Sequence, residues 1–388
     1  MRKRNLIRYC ILLLAIAALL IPVVWIEYNV LQHTHGTLTF PTDNAFTDMA
    51  VAENLAFHQV WGMSKHSFEP AGSSLLYIAI LAIIFFIIGA HNFIPLVVNT
   101  VAAVWFLVAL QRWLTSQGVR PSHQLLIMLL VIYGIPLPLL VVSGMGYTLQ
   151  LLFGFLFVVN FRRLSSGWIP PKVYIYALLM VAANVEMIML LAVACGLLVW
   201  QRRWKLSFKL GGITVLPIIL FGAITFAEGT LFIPHPVSPR PGTPPRINLI
   251  NVRQACIDTY NEPYQMARFV HRYFNKRGIA CNAIGAVSYY SEGEKLDLGI
   301  SRPAGLVDSL TRRDYIPVAI LYDKKMDINL LPHWNEIASW QIHGEDGAKK
   351  DSVSFYAFAR DSSQQANLRK NLRDYQPRLP AEVTVRYY

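Results

Sequence analysis

Residues Leu6–Ile26 read LIRYCILLLAIAALLIPVVWI, an apolar run that contains one charged side chain, Arg8. A helix needs about 20 apolar residues to cross the hydrocarbon core of a bilayer, and this run supplies them. The basic start, Met1–Arg4, could also begin a signal peptide, but the run is long and no small-residue cleavage site follows it. We therefore expect an uncleaved first membrane span whose N-terminus is cytoplasmic.

Further apolar runs recur along the first two thirds of the chain. The chain has 388 residues, of which 54% are hydrophobic and 15% charged, a composition too apolar for a soluble protein with a wet surface. We therefore expect a multi-pass α-helical membrane protein with about seven or eight helices. The later runs are Ser73–Gly89, Phe93–Leu110, Leu125–Val142, Leu151–Val159, Val173–Trp200 and Gly211–Phe226.

The net charge of +12 comes largely from short loops beside the apolar runs. Three of these loops are basic, Arg112–Arg120, Arg162–Lys172 and Arg202–Lys209. The positive-inside rule produces this distribution, so the charge indicates membrane topology rather than a nucleic-acid partner. If all three loops are cytoplasmic, residues 73–110 must cross the membrane an odd number of times, although they look like two spans. The sequence leaves this count open, and one basic loop could instead lie outside.

The pattern divides the chain into three parts. Residues 1–228 are expected to form the membrane domain, with residues 27–72 as a first extracytoplasmic loop, and residues 229–245 form a Pro-rich linker. Residues 246–388 are expected to form a small extracytoplasmic α/β domain. Its predicted helices are Gln254–Phe274 and Ser362–Leu372, and its predicted strands are Ile279–Asn282, Ala286–Tyr290, Val318–Tyr322, Ile337–Ile342 and Val353–Phe358.

The first loop and the C-terminal domain also raise two local questions. Residues Asp43–Trp61 carry small and apolar residues at helical spacing, which predicts a helix along the membrane face. Cys256 and Cys281 could form a disulfide if the C-terminal domain is extracytoplasmic, because oxidation is permitted there. Their spacing alone does not decide whether they pair.

Carboxylates concentrate in the first loop, at Asp43, Asp48, Glu53 and Glu69. Carboxylates next to apolar surface suit general-base chemistry or a phosphate-bound metal. The alternative is that Asp43 caps the helix predicted at Asp43–Trp61 and that Glu53 is solvated. Glu186 interrupts the run Val173–Trp200, where an ionisable group either has a function or reaches water at a hairpin tip.

Metal and nucleotide sites have no support in the sequence. The histidines of the first loop match no zinc spacing, and the chain contains no phosphate-binding loop, nucleophile elbow or dinucleotide fingerprint. We therefore predict no metal site and no cofactor, with a divalent metal left open but not indicated. The loop histidines are His33, His35, His58 and His66.

Several motifs, in order, resemble the bacterial GT-C superfamily of membrane glycosyltransferases of the polyprenyl-phosphate-sugar type. The first loop resembles the family's D-D-A-F/Y, A-R-N-L-A and E-G-x-x-S-P-L-W segments, and later stretches resemble S-G-M-E-x-T-L, R-P-E, V-N-D-I-G-A-V-S-Y-Y and D-x-V-S-F-Y. The matching residues are Asp43–Phe46, Ala52–Ala56, Glu69 with Ser73–Leu76, Ser143–Gln150, Asn184–Glu186, Ala280–Leu298 and Asp351–Tyr356.

The resemblance implies an inverting transfer of a sugar from a polyprenyl-phosphate donor to a glycan, lipid or protein of the cell envelope. The reaction would occur on the outer face of the bacterial inner membrane. By position, Asp43 would be the general base, and Lys65, His66 or Arg112 would lie near the lipid phosphate. The residues expected to bind substrate are Asp48, Glu53, Lys65, His66, Glu69 and Glu186.

The chain departs from the family pattern in four places. Asn44 replaces its second acidic residue, Gly146 its glutamate after S-G-M, Asn184-Val185 its Arg-Pro pair, and Ala283 the aspartate before I-G-A. A catalytically inactive relative that acts as a membrane scaffold or partner subunit is therefore the alternative function. A transporter is less favoured, because the sequence shows neither an internal repeat nor paired broken helices.

Overall fold

A computed structural model describes residues 2–66, 68–72, 74–161, 170–227, 247–298, 316–322, 334–343, 349–358 and 361–388. Contacts divide the chain into two compact units. The first comprises Met1–Leu38, Gly72–Pro234 and Asn248–Arg253, and the second comprises Thr39–Ala71, His235–Ile247 and Gln254–Tyr388. Most of the first loop thus belongs with the C-terminal domain. The linker predicted at residues 229–245 lies outside the described residues.

The first unit is helical, and its helices present apolar side chains outward. Large exposed residues such as Leu13, Phe86 and Phe208 are typical of surfaces that face lipid. Among the described residues, three helices are long and apolar enough to cross a membrane: Leu6–His33, Ile94–Ser116 and Trp204–Ala227. The helices of this unit are α1 (Arg2–His33), α3 (Leu75–Ile88), α4 (Ile94–Ser116), α5 (Pro121–Gly134), α6 (Leu137–Val142), α7 (Tyr147–Phe161), α8 (Pro171–Ala183), α9 (Ile188–Trp200) and α10 (Trp204–Ala227).

Polar contacts give the helices their directions. We call the end of this bundle where α1 begins the basic end and the end where α1 finishes the loop end. Gln111, near the end of α4, donates to the carbonyl of Arg8, near the start of α1, at 2.6 Å, so α4 runs from the loop end to the basic end. Thr148, at the start of α7, donates to Asn99, near the start of α4, at 2.7 Å. Helices α4 and α7 therefore run in the same direction.

Helices α5 and α6 form one kinked passage through the bundle. Pro136 has no backbone N–H and separates the two helices. Helix α5 leaves the basic end, and the Tyr133 hydroxyl, near its C-terminus, reaches the carbonyl of Ala18 in the middle of α1 at 3.1 Å. Asn99, near the loop end, faces the carbonyl of Val141 in α6 at 3.4 Å. The pair thus returns from the basic end to the loop end.

Helices α8, α9 and α10 complete the antiparallel arrangement. Asn184, directly after α8, donates to Gln150, near the start of α7, at 3.1 Å, so α8 ends at the loop end. The ammonium of Lys209 in α10 lies 5.7 Å from the ring centroid of Tyr174 in α8, near the start of both helices. Helix α10 therefore runs parallel to α8. Helix α9 connects the end of α8 to the start of α10 and returns to the basic end.

Helix α3 does not pass from one end of the bundle to the other. Near its start, the Tyr77 hydroxyl donates to the carbonyl of Gly144 at 2.8 Å. Just after its end, Asn92 donates to the carbonyl of Leu38 at 3.2 Å. Gly144 and Leu38 both lie at the loop end, so both ends of α3 do as well. Residues 73–110 consequently pass through the bundle once, along α4, which answers the question that their two apolar runs raised.

The second unit contains a six-stranded mixed sheet among its described residues, in the order β2-β1-β3-β5-β4-β6. Strand β1 pairs in parallel with β2 and β3, and the remaining pairs are antiparallel. The strands are β1 (Ile279–Cys281), β2 (Lys295–Asp297), β3 (Ala319–Tyr322), β4 (Trp334–His343), β5 (Lys349–Phe358) and β6 (Val383–Tyr387). The helices are α2 (Asn44–His58), α11 (Val252–Thr259), α12 (Gln265–Phe274), α13 (Ile284–Tyr290) and α14 (Ser362–Tyr375).

An aromatic cluster forms the core between this sheet and its helices. Trp340 of β4 is 0% exposed and stacks on Tyr375 of α14, with ring centroids 5.9 Å apart and planes at 12°. Phe269 of α12 and Phe355 of β5 pack edge-on or tilted against Trp340, with centroids at 5.8 and 4.6 Å. These rings join both helices to the sheet.

Most of the predicted elements of the C-terminal domain are confirmed. Four predicted strands correspond to β1, β3, β4 and β5, and the predicted helix at Ser362–Leu372 corresponds to α14. The predicted helix at Gln254–Phe274 is present but contains a π-helical turn at Tyr260–Tyr264. The strand predicted at Ala286–Tyr290 is wrong, because these residues belong to helix α13. Cys256 and Cys281 are buried and are not disulfide-bonded.

Replacement of Trp340 tests the aromatic core. Trp340→Ala should destabilise the second unit by about 3–5 kcal/mol, because a large buried ring is lost and a cavity remains. Trp340→Phe, which keeps an aromatic ring in the stack, should cost clearly less. Thermal unfolding of the purified full-length protein measures both. Equal melting temperatures for Trp340→Ala and the unmodified chain would contradict this packing.

Candidate functional site

Asp43 connects the first loop to the C-terminal sheet domain. It stands at the N-cap position of α2, but its side chain makes no capping bond there. Its carboxylate instead accepts the backbone N–H of Gly285 at 2.8 Å and that of Ala286 at 2.7 Å, both in the first turn of α13. The side chain of Asp43 is buried, and the residue is 6% exposed. The alternative that Asp43 caps the helix of the first loop is wrong, because its carboxylate caps α13 instead.

The local sequence of α13 explains why Asp43 is needed there. The N-cap residue of α13 is Ala283, which has no side-chain acceptor for the first amides of the helix. Asp43 accepts the second and third of these amides, as an N-cap aspartate would. A Cβ on Gly285 would lie 2.2 Å from the carbonyl oxygen of Asp43, so the approach requires glycine. A carboxylate from the first loop thus provides the acceptors that Ala283 lacks.

A second carboxylate of the first loop, Glu53, faces a lysine of the sheet. Glu53 lies half-buried in α2, and burial raises its pKa to about 7, opposed by the charge of Lys295. Lys295 begins β2, and burial lowers its pKa to about 8, opposed mainly by Cys281 and Glu69. A carboxyl with a pKa near neutrality is well matched to proton transfer at physiological pH.

Aromatic residues border this pair. The charge of Glu53 and burial both raise the pKa of Tyr289, with burial the larger cause, so its hydroxyl stays protonated and can donate. Phe46 lies 6.1 Å from Tyr289 and 6.0 Å from Tyr290 between ring centroids. Glu53 therefore lies within electrostatic reach of a lysine and a tyrosine, where a change in its protonation has a large effect.

A cleft of about 690 Å³ lies in the second unit. Two turns and the first loop form it, and its charged or titratable lining residues are Lys65, His66, Lys276, Arg277, Glu292 and Glu294. Lys65 donates to Glu292 at 3.0 Å, which ties the first loop to the turn before β2. Lys65 also lies close enough to Lys295 to lower the pKa of that lysine. Lys65 thus links the cleft electrostatically to Lys295.

Six of the seven residues expected to act on substrate belong to the second unit. Asp43, Asp48, Glu53, Lys65, His66 and Glu69 all belong to the second unit, where Asp48 is 1% exposed. Glu186 belongs to the first unit and is exposed in a 3-10 turn between α8 and α9, as expected for a residue at a hairpin tip. Arg112 lies in α4 at the basic end, the opposite end of the bundle from Leu38 and Gly72, where the chain leaves for the first loop and returns.

Two departures from the family pattern have structural reasons. A side chain at Gly146 would meet the Cβ of Tyr77 at 2.9 Å and that of Ser74 at 3.3 Å, so the family's glutamate does not fit here without movement of Tyr77. Asn184 accepts the backbone N–H of Glu186 at 2.9 Å and caps the 3-10 turn. Both positions serve packing and backbone geometry in this chain.

Sequence reasoning missed four residues of this region: Tyr289, Lys295, Lys276 and Arg277. Lys295 lies within Ala280–Leu298, one of the stretches that resemble the family. The available signal for Lys295 was its position in a short strand among charged residues. Lys276 and Arg277 gave no signal, because they enter the cleft through a turn. Within the described ranges, no group of three or more His, Cys, Asp or Glu side chains could hold a metal ion.

Comparisons of this chain with protein-family models, with curated proteins and with solved structures found no match.

The role of Asp43 can be measured by an amide substitution. In Asp43→Asn, one oxygen remains to face two N–H donors, and the new NH₂ group opposes one of them, so we expect a loss of about 1–3 kcal/mol. The matched control is Asp361→Asn in α14, where one carboxylate oxygen accepts the N–H of Gln364 at 2.9 Å. Asparagine caps as well as aspartate, so this control should change stability little. Equal melting temperatures for the two variants would show that the Asp43 contact contributes no stability.

Proposed function

We propose that this chain is a multi-pass membrane protein in which α1, α4, the α5–α6 pair, α7, α8, α9 and α10 each cross the bilayer. The alternating helix directions support this arrangement. They bring the loops at residues 112–120 and 202–209 to the same end as the basic N-terminus, as the positive-inside rule requires of a cytoplasmic side. The helices that flank the third basic loop, α7 and α8, also meet at that end.

The composition of the second unit supports the same topology. Residues 39–71 and 254–388 form one compact unit, and two segments in direct contact must lie on the same side of a membrane. The proposed crossings between these segments are even in number, because α3 does not cross. The first loop and the C-terminal domain are therefore both extracytoplasmic in this proposal.

Cysteine labelling tests the crossings. In a Cys10→Ser background, His91→Cys, between α3 and α4, should react with a membrane-impermeant maleimide from outside intact cells. Gln117→Cys, between α4 and α5, should react only after permeabilisation. Both positions are exposed, so accessibility depends on the side of the membrane. Labelling of the His91→Cys variant only from the cytoplasm would mean that α3 crosses and would overturn this topology.

We propose that the protein transfers a sugar from a polyprenyl-phosphate-linked donor to a cell-envelope acceptor on the outer face of the bacterial inner membrane. The observation that carries this proposal is Glu53, a first-loop carboxyl whose pKa is raised to about 7 beside Lys295 of the sheet domain. Its electrostatic setting is that of an acid–base group, and the family resemblance supplies the reaction.

The reaction needs one proton acceptor. The acceptor hydroxyl attacks the anomeric carbon and forms the new glycosidic bond as the bond from that carbon to the phosphate oxygen breaks. The electron pair of the broken bond leaves with the polyprenyl phosphate, and the proton of the acceptor hydroxyl passes to the base. The configuration at the anomeric carbon is inverted. Glu53 suits this role better than Asp43, because both oxygens of Asp43 already accept backbone N–H groups.

Removal of the Glu53 carboxylate tests the proposal. Glu53→Gln should lower the rate of transfer from radiolabelled polyprenyl-phosphate sugars to a cell-envelope fraction by about 10²–10⁴-fold, the usual contribution of a general base. In the unmodified enzyme, the rate should rise with pH through about 7, because the base acts only when ionised. The residual rate of Glu53→Gln should lack this rise.

Two comparisons complete this experiment. Glu382→Gln changes an exposed carboxylate elsewhere in the second unit and should leave transfer unchanged. If Asp43→Asn abolishes transfer at full protein level while Glu53→Gln retains it, Asp43 is the base as the resemblance implies. If both variants match the unmodified protein, the transferase proposal loses its chemistry.

The alternative is a catalytically inactive relative that serves as a scaffold or partner subunit. The observations that favour it are that both oxygens of Asp43 cap α13, and that position 146, a glutamate in the family pattern, is a glycine packed against Tyr77. A scaffold would keep its cellular function in Glu53→Gln but lose it when residues 246–388 are deleted.

A further inference from the structure

We infer that the cleft that contains Lys65 binds an anionic carbohydrate and, resting on the proposed function, that this carbohydrate is the acceptor, an acidic glycan. The cleft is formed where two turns meet. Asn275 accepts the backbone N–H groups of Glu292 at 3.1 Å and Gly293 at 2.6 Å, which holds the turn after α12 against the turn after α13. Residue 65 of the first loop closes one side through its ion pair with Glu292.

The charges of the cleft favour an anion. Lys65 is paired with Glu292, while Lys276 and Arg277 are exposed on the turn and can orient toward a bound ligand. Arginine and lysine bind carboxylate and phosphate groups through charge-assisted hydrogen bonds. Glu292 and Glu294 add acceptors, which suit the hydroxyl groups of a sugar. The lining thus combines cations for an acidic group with acceptors for hydroxyls.

The polar lining of the cleft favours a glycan over a lipid as its ligand. Within the described part of the chain, Pro317 is the apolar side chain that lines the cleft, whereas a polyprenyl or acyl chain needs a continuous apolar surface. A volume of about 690 Å³ lies within the usual range for small-molecule sites and has room for a short oligosaccharide. A water-borne acceptor fits this cleft better than the lipid-linked donor.

The floor of the cleft is fixed by backbone packing. A Cβ on Gly293 would lie 2.0 Å from the carbonyl oxygen of Arg277, so this position requires glycine if the two turns are to touch. The N–H of Ile279 donates to the carbonyl of Glu294 at 3.0 Å and continues the contact into the sheet. The backbones of Arg277 and Glu294 are therefore held next to each other before any ligand binds, which lowers the entropic cost of binding.

Direct binding tests this site. Full-length protein in phosphatidylcholine nanodiscs is titrated with a glucuronic acid–glucose disaccharide and with cellobiose, its neutral counterpart. The acidic disaccharide should bind at least about tenfold more tightly, since a charge-assisted hydrogen bond adds about 1.5–3 kcal/mol. The difference should shrink as ionic strength rises.

A charge-matched pair of variants localises the effect. Lys276→Gln/Arg277→Gln should abolish the preference for the acidic disaccharide. Lys370→Gln/Arg378→Gln removes the same charge from exposed positions outside the cleft and should retain the preference. Equal binding of both disaccharides, or a preference that survives Lys276→Gln/Arg277→Gln, would overturn the assignment.

Two further measurements test whether the ligand is a lipid and whether binding is separate from transfer. Competition by phosphatidylglycerol nanodiscs, with no preference between the disaccharides, would assign the cleft to an anionic lipid head group and reject the glycan. The assignment of the ligand as acceptor rests on the proposed transferase function, whereas binding does not need turnover. Glu53→Gln should therefore still bind the acidic disaccharide. Binding without any transfer by the unmodified protein would reject the function and keep the site.

Discussion

The carboxylate of Asp43 and two backbone amides of α13 form the contact on which the second unit depends. Helix α13 begins at Ala283, a residue that offers no acceptor to the orphan amides of the first turn. The loop that follows the first apolar helix supplies this acceptor from 242 residues away in sequence. One ionic hydrogen-bonding site thus fixes the first loop to the sheet domain, and the places of Glu53 and Lys65 follow from it.

This contact changes the meaning of the carboxylates that the sequence singled out. The family resemblance implies that Asp43 is the general base, yet its two oxygens accept backbone N–H groups of α13. Burial instead raises the pKa of Glu53 to about 7. In the proposed reaction the base is therefore Glu53, and Asp43 holds the segment that carries it.

Sequence periodicity predicted the parts of the fold that local patterns control. Apolar runs marked the bundle, and alternating residues marked β3, β4 and β5. Strand β2 has three residues, too few for a pattern, and β6 was missed at the end of the chain. The segment Ala286–Tyr290 was predicted as a strand because its valine and tyrosines favour β structure, whereas a distant cap makes it helical. The two apolar runs of residues 73–110 could not be resolved either, since the course of α3 depends on tertiary contacts at Gly144 and Leu38.

The candidate site shows the same division. Six of the seven residues expected to act on substrate lie in one unit, because the first loop is contiguous and polar. Lys295 and Tyr289 reach Glu53 only through the packing of α2 on α13, which no spacing in the sequence encodes. Lys276 and Arg277 enter the cleft because Asn275 holds two turns together. The sequence therefore identified the polar residues of the first loop, whereas the residues that surround them could be identified only from the fold.

The second unit is built from segments that lie far apart in the chain, and this affects how the protein is synthesised. Residues 39–71 leave the ribosome early, but their binding partners, residues 254–388, are synthesised only after the last apolar helix. In the proposed topology, the loop must therefore remain incomplete while every intervening helix is inserted. A single error in insertion would then leave the late segment on the wrong side of the membrane and the loop without its partner. Completion of the second unit would thus report on the biogenesis of the whole chain.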